Sequence, residues 1–259
     1  MPEYLWPKVA VVGHGLLAVT TRRALGEMLW GKTETADLVW FCEDITVDEN
    51  DVGDEKWIFE EIDSLLHRIP MATPVMISSQ VPVGFCAKLE RVWSERTFII
   101  QPENIRRANA AEDFAKQERM IVGVRNQERE LCELIDSVLF QFTDHVMYMS
   151  PESAEMTKHA LNGWLALGIA YANEIADLCD AVGADKADVS LGWRSDARVG
   201  SQPLHYGGPF TGGTLGRDVR VMEEIMMGAL YLNTPIIRSI RASNAVRSIR
   251  ASNGERSKP

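Results

Sequence analysis

The chain has 259 residues, of which 46% are apolar and 25% charged, the makeup of a folded globular protein. Its formal charge of −10 works against general binding to nucleic acid or to an anionic membrane surface, since both need clustered Lys and Arg. The balance is uneven: residues 238–259 hold six basic side chains and one acid.

In chain order, MPEYLWPKVAVVG enters a strand directly, KVAVVG (8–13), without a signal-peptide pattern. A glycine turn then opens into the helical pattern GLLAVTTRRALGEML. ADLVWFC (36–42) reads as a second buried strand, followed by the acidic stretch EDITVDENDVGDE and a helix over 57–69. TPVMISS (73–79) predicts a strand, CAKLERVWSE a helix and TFIIQPEN (97–104) a strand. RMIVGV (119–124) is another strand, before a helix at about 127–141 and the strand HVMYMS (145–150). Strands alternating with helices predict an α/β fold, a doubly wound parallel sheet over residues 1–150. From Pro151 the pattern becomes one long helix, with apolar or small residues at 156, 160, 164, 167, 171 and 175 and Gly183 at its end. An all-α region is expected over 151–237, then a basic tail, 238–259, in which RSIRASN occurs twice, at 238–244 and 247–253. No apolar run approaches the roughly 20 residues that cross a bilayer, so the expected setting is the cytoplasm.

Four cysteines, Cys42, Cys86, Cys132 and Cys179, lack CxxC spacing and sit in apolar contexts, as buried reduced thiols do. Five histidines form no HxxxH or HExxH pair, so no metal site is expected. Gly13-His14-Gly15-Leu16-Leu17-Ala18 fits G-x-G-x-x-(G/A) between a strand and a helix, where Gly13, Gly15 and Ala18 would let a dinucleotide's pyrophosphate approach the backbone. The same pattern also serves tight strand–helix packing. The acid expected about 20 residues on, for the adenosine ribose, would fall in GKTETAD, which is no strand end. Lys158 and Asn162 are four apart on the long helix and share a face, although a lysine there can also snorkel to solvent. Glu103 follows Pro102 at a strand end, a place that suits a ligand or a structural carboxylate.

These segments together resemble the UDP-glucose/GDP-mannose 6-dehydrogenases. SSQVPVGF (78–85) is similar to that family's S-T-V-P-x-G, with Ser79 and Gln80 on the cofactor side, and QPENIRRANAAEDF (101–114) to its P-E-x-x-R-x-G-x-A-x-x-D-F. Residues 154–185 resemble its central helix, and SDARVG with GGTLGRDVR its S-D-x-R-I-G and G-G-S-C-F-P-K-D. The resemblance implies NAD as cofactor and two hydride transfers that turn a nucleotide-sugar alcohol into an acid through a cysteine thioester. It also implies roles by position. Glu103 matches the carboxylate that assists thioester hydrolysis, and Lys158 and Asn162 match the pair that steadies oxyanion charge. Asp218 matches the acid closing the cysteine motif, and Arg198 an arginine that reaches substrate across a homodimer interface. Gly212, Gly213 and Thr214 form the substrate loop.

The departures are as specific. Gly212-Gly213-Thr214-Leu215-Gly216-Arg217-Asp218 is one residue short of the family motif and has Thr214 or Leu215 in place of the cysteine, so the covalent step is expected to be lost. Gln80 replaces a threonine. ADLVWFC resembles the family's fourth strand, so the second and third strands are expected to be missing after Trp30, which weakens the NAD site. By the resemblance, the family's following nucleotide-sugar-binding domain is expected to be missing as well. Three functions remain open: an NAD-dependent oxidoreductase of a sugar nucleotide or hydroxy acid, limited to a two-electron alcohol/carbonyl step; a catalytically inactive dimeric binding homologue; and, behind these two, a sheet that binds a smaller phosphate-bearing ligand at Gly13–Ala18.

Overall fold

The computed structural model describes residues 6–45, 48, 53–103, 110–199, 206–210, 214–228 and 234–253. The chain divides into two compact units, residues 1–47 with 53–158 and residues 48–52 with 159–259. The sequence reading placed the change at 150/151, whereas the two units divide between Lys158 and His159, inside the long helix.

The first unit is built on six short strands, β1 (Val9–Val12), β2 (Leu38–Phe41), β3 (Val75–Ile77), β4 (Phe98–Ile100), β5 (Met120–Val124) and β6 (Val146–Met149), in spatial order β1 to β6. Neighbours run parallel except β4 and β5, which pair antiparallel at Ile99–Val124 and Ile100–Gly123. Four buried residues in a row in β2 mark a strand covered on both faces, and period-2 alternation divides them. Val39 and Phe41 face one layer with Ile58, Ile62 and Leu65 of α2 (Glu55–Leu66) and Phe85 and Leu89 of α3 (Phe85–Val92). Leu38 and Trp40 face the other, with Leu17 and Leu25 of α1 (Gly15–Leu25), Phe114 of α4 (Ala110–Ala115) and Ile135 of α5 (Arg129–Leu139). Trp40 is fully buried, its ring 5.9 Å from Phe114 and 6.2 Å from Phe142, and its indole N–H donates to Ser78 Oγ at 2.7 Å.

Helices α1 and α2 therefore lie on opposite faces although their strands, β1 and β2, are adjacent. That is the topological switch point of a doubly wound sheet, the place where such folds bind ligands. In this strand order β1 is an edge strand, with no strand on its outer side among the described residues. The edge is closed by other means. Leu29 forms a single parallel bridge with Val9, and Trp30 N–H donates to Val9 O at 2.8 Å. Arg22, from α1, donates to Val11 O at 3.1 Å and Gly13 O at 2.8 Å, replacing the donors a neighbouring strand would bring.

The second unit consists of α6 (Pro151–Val182) from His159 onward, α7 (Lys186–Arg194), α8 (Leu215–Gly228) and α9 (Pro235–Ser252). Its core joins Ala166, Val219, Met222 and Ile240. The duplicated segment is helical in α9, and its period has a geometric consequence. Nine residues are about two and a half helical turns, so equivalent residues of the two copies point to opposite sides. Ile240 is buried while Ile249 is 60% exposed. Arg241 pairs with Glu223 at 2.8 Å, whereas Arg247 and Arg250 share Asp177 at 3.0 and 2.7 Å. No helix among the described residues is long and apolar enough to cross a membrane.

Candidate functional site

In the first unit the strand ends and helix starts gather at the switch point. Gly13 has φ +135° and Gly15 φ +84°, values that β-carbons oppose. A β-carbon on Gly13 would stand 2.6 Å from the Cys42 carbonyl carbon and closer still to its oxygen, so the turn passes against the end of β2. Ala18, within α1, is fully buried, as the third position of the motif requires. The free N–H groups at the start of α1 are a ready anion site. Two side chains of this same chain take them. Glu43 Oε2 accepts from His14 N–H at 2.9 Å, and Asp44 Oδ2 accepts from Leu16 N–H at 3.2 Å. His14 Nδ1 lies 2.8 Å from Glu43 Oε1. Ser79 Oγ accepts from Glu43 N–H at 3.0 Å, while Gln80 is half-buried in the loop after β3.

The start of α3 is treated in the same way. Glu155 of α6, itself buried, accepts from Gly84 N–H at 2.6 Å and Cys86 N–H at 2.9 Å. One helical turn later Lys158 is also buried and donates from Nζ to the backbone carbonyl of Glu103, whose side chain is buried beyond β4. The structure thus brings Lys158 and Glu103 together within the first unit.

Within the second unit it brings Asn162 and Asp218 together. Asp218, in the first turn of α8, is fully buried; it accepts from Asn162 Nδ2 and lies 3.0 Å from His159 Nδ1. Arg217 Nε is 3.5 Å away. Burial works to raise the carboxyl pKa, but the His159 hydrogen bond, the Arg217 charge and Asn162 outweigh it, leaving Asp218 below the ordinary range. Thr214 is half-buried just before α8, and Gly212 and Gly213 lie outside the described residues. The segment leading toward them is held by amide side chains that imitate backbone. Asn173 accepts from Gly207 N–H at 2.8 Å and donates to Gly208 O at 2.9 Å, and Asn244 exchanges bonds of 2.8 and 3.1 Å with Phe210. Arg198 is exposed in a turn and bound to its own neighbour Asp196 at 2.6 and 2.9 Å.

All four cysteines are free, and Cys42, Cys86 and Cys179 are buried. Burial pushes the Cys42 and Cys86 thiols far up, and that of Cys132 up as well, away from thiolate reactivity. Among the described residues no cluster of His, Cys, Asp and Glu could hold a metal ion.

Sequence reasoning did not find Glu43 and Asp44 as partners of the glycine turn, nor His159, Glu155 and Arg22. The signal for the first pair was present: two acids directly after a buried strand whose neighbour ends in a glycine turn.

Residues 152–246 match the model of the central domain of the UDP-glucose/GDP-mannose dehydrogenase family. The UDP-glucose 6-dehydrogenase of Rickettsia conorii is 30% identical over 201 residues, covering 74% of this chain and 45% of the relative. The chain thus spans about half the length of the curated relatives it matches. Among solved structures, a UDP-glucose dehydrogenase from Pyrobaculum islandicum superposes with a TM-score of 0.80 at 18% identity, over 95% of this chain and 69% of that one. A 3-hydroxyisobutyrate dehydrogenase from Mycobacterium tuberculosis, with L-serine, gives 0.71 at 12% identity, over 95% and 94%. At these identities the two structures report a shared fold.

Proposed function

Because the chain belongs to the UDP-glucose/GDP-mannose dehydrogenase family, we propose that it is a homodimeric small-molecule-binding relative that no longer performs the family's oxidation to the acid. The ligand class is a sugar nucleotide or hydroxy acid. The state of the thiols carries this reading. Oxidation to the acid needs a thiolate that adds to the aldehyde as a thiohemiacetal, whose C–H hydride passes to an acceptor such as NAD to leave a thioester. Water then hydrolyses the thioester to the acid and the free thiol. The segment 212–218 contains no cysteine, and three of the four present elsewhere are buried. Free thiols throughout also support a reducing, cytoplasmic setting.

Incubation with NAD and UDP-glucose or GDP-mannose is expected to give neither NADH nor a uronic acid, while titration calorimetry with UDP-glucose gives saturable heat. Acid formation would overturn the loss of oxidation, and a flat titration would overturn the binding role. One observation favours a second reading, a two-electron alcohol/carbonyl reaction. Lys158 is a buried amine whose Nζ donates to the backbone carbonyl of Glu103 at a strand end, fixed in place as a helix-borne general acid or base would be. Under that reading NADH forms without acid, and Lys158→Ala abolishes turnover while ligand binding survives.

The homodimer rests on α6. Trp164, Tyr171 and Leu178 recur every two turns on one face and are 67%, 53% and 60% exposed, a stripe of a kind that a second copy covers. Light scattering is expected to give a dimer mass for the wild type and a monomer for Trp164→Glu. A wild-type monomer would sink the assignment.

A further inference from the structure

A dinucleotide makes two demands on this kind of sheet. Its pyrophosphate takes the free amides at the first glycine turn, and its adenosine rests on the strands outside β1, with an acid at the end of the next strand holding the ribose. Neither demand is met by the residues present. On the outer side of β1 the described residues offer only the Leu29 bridge, with Trp30 and Arg22 bonded to the edge carbonyls. At the turn, the amides of His14 and Leu16 already donate to carboxylates.

We propose that Glu43 and Asp44 occupy the place of the cofactor's pyrophosphate, so that this chain excludes NAD from its glycine turn by an anion of its own. The geometry carries the assignment. A β-carbon on Gly15 would come 3.0 Å from Asp44 Cγ and closer still to Oδ2, so the space the second glycine opens for a phosphate holds a carboxylate. Glu43 is buried and held from two sides, by its own N–H on Ser79 Oγ and by the His14 imidazole on its second oxygen. Its two oxygens bridge a backbone amide and a ring nitrogen, as phosphate oxygens would. An incoming pyrophosphate would have to break these bonds and sit against two negative charges. The acids stand at the end of β2, which adjoins β1 on the switch-point side, and they serve the turn rather than a sugar.

This inference concerns the cofactor and not the thiol, and it can fail separately from the proposed function. The test is a titration of the full chain with NADH, followed by fluorescence, and with inorganic pyrophosphate, followed by the amide NMR signals of His14 and Leu16. The wild type is expected to show no saturable change with either probe up to millimolar concentration. Glu43→Ala/Asp44→Ala is expected to bind pyrophosphate at least about tenfold more tightly than the wild type, the scale of one charge-assisted contact, with shifts at those two amides. Asp44 is exposed, so Asp44→Ala alone serves if the double variant fails to fold, and it is expected to show the same gain in smaller measure. Saturable binding of either probe by the wild type with shifts at His14 and Leu16 overturns the proposal, as does a folded variant that gains nothing. NADH binding without acid formation overturns it and leaves the proposed function standing.

Discussion

Replacement of Asp218 by alanine is expected to cost about 3–5 kcal/mol of unfolding free energy, the range for breaking a buried charge network from one side. The carboxylate is wholly buried and is the shared acceptor of His159 and Asn162, with Arg217 alongside. Removing it leaves a buried guanidinium, imidazole and amide without the charge around which they are arranged. Denaturant midpoints at neutral pH measure the loss. The pH dependence gives a second reading of the same network. Because the folded state holds the Asp218 carboxyl below its ordinary value of about 3.9, its stabilisation is complete above that pH and is lost as pH falls through the folded value. Wild type and Asp218→Ala should therefore converge in stability under acid conditions and separate toward neutral pH. A loss below about 1 kcal/mol, or a difference that does not change with pH, would mean that Asp218 is not the centre of the network.

Much of this fold is legible in the amino-acid order, because each buried strand is a short apolar run and each covering helix has an apolar face. Leu38–Phe41 and Val75–Ile77 could be read in that way, as could the start of α6 at Pro151. The pairing of β2 with β1 and the placement of α1 and α2 on opposite faces are encoded by no local pattern. Antiparallel pairing of β4 with β5 was likewise out of reach, since strand direction depends on the path of the connection and not on the strand residues. The candidate site divides by the same rule. Lys158, Asn162, Glu103 and Asp218 could be named by motif, while the partner each one meets could not. His159 stood next to Lys158 in plain view, yet one step along a helix turns a side chain by about 100° and gives it other company. Ile240 and Ile249 show the limit most plainly: identical seven-residue contexts, opposite burial, set by where the helix packs.

The glycine turn supplies the other large effect. Gly13→Ala is expected to destabilise the chain by about 2–5 kcal/mol, combining an unfavourable positive φ with a collision that backbone must relieve. The obstacle is the carbonyl of Cys42, fixed by the β1–β2 pairing and by the Cys42 N–H bond to Val12 O at 2.7 Å. Gly15→Ala meets a different obstacle, the carboxylate of Asp44 at the end of a side chain that can rotate away. Its cost should be confined to the backbone conformation and the displaced contact, about 1–2 kcal/mol. The two variants thus separate a turn held by backbone from a turn filled by a side chain. Combining Gly15→Ala with Asp44→Ala tests the second directly. If Asp44 occupies the space beneath Gly15, the double variant is more stable than the sum of the single losses predicts, by at least about 0.5 kcal/mol. Additive losses would show that the carboxylate lies elsewhere in solution, and equal costs for Gly13→Ala and Gly15→Ala would show that the approach of β2 does not constrain the turn.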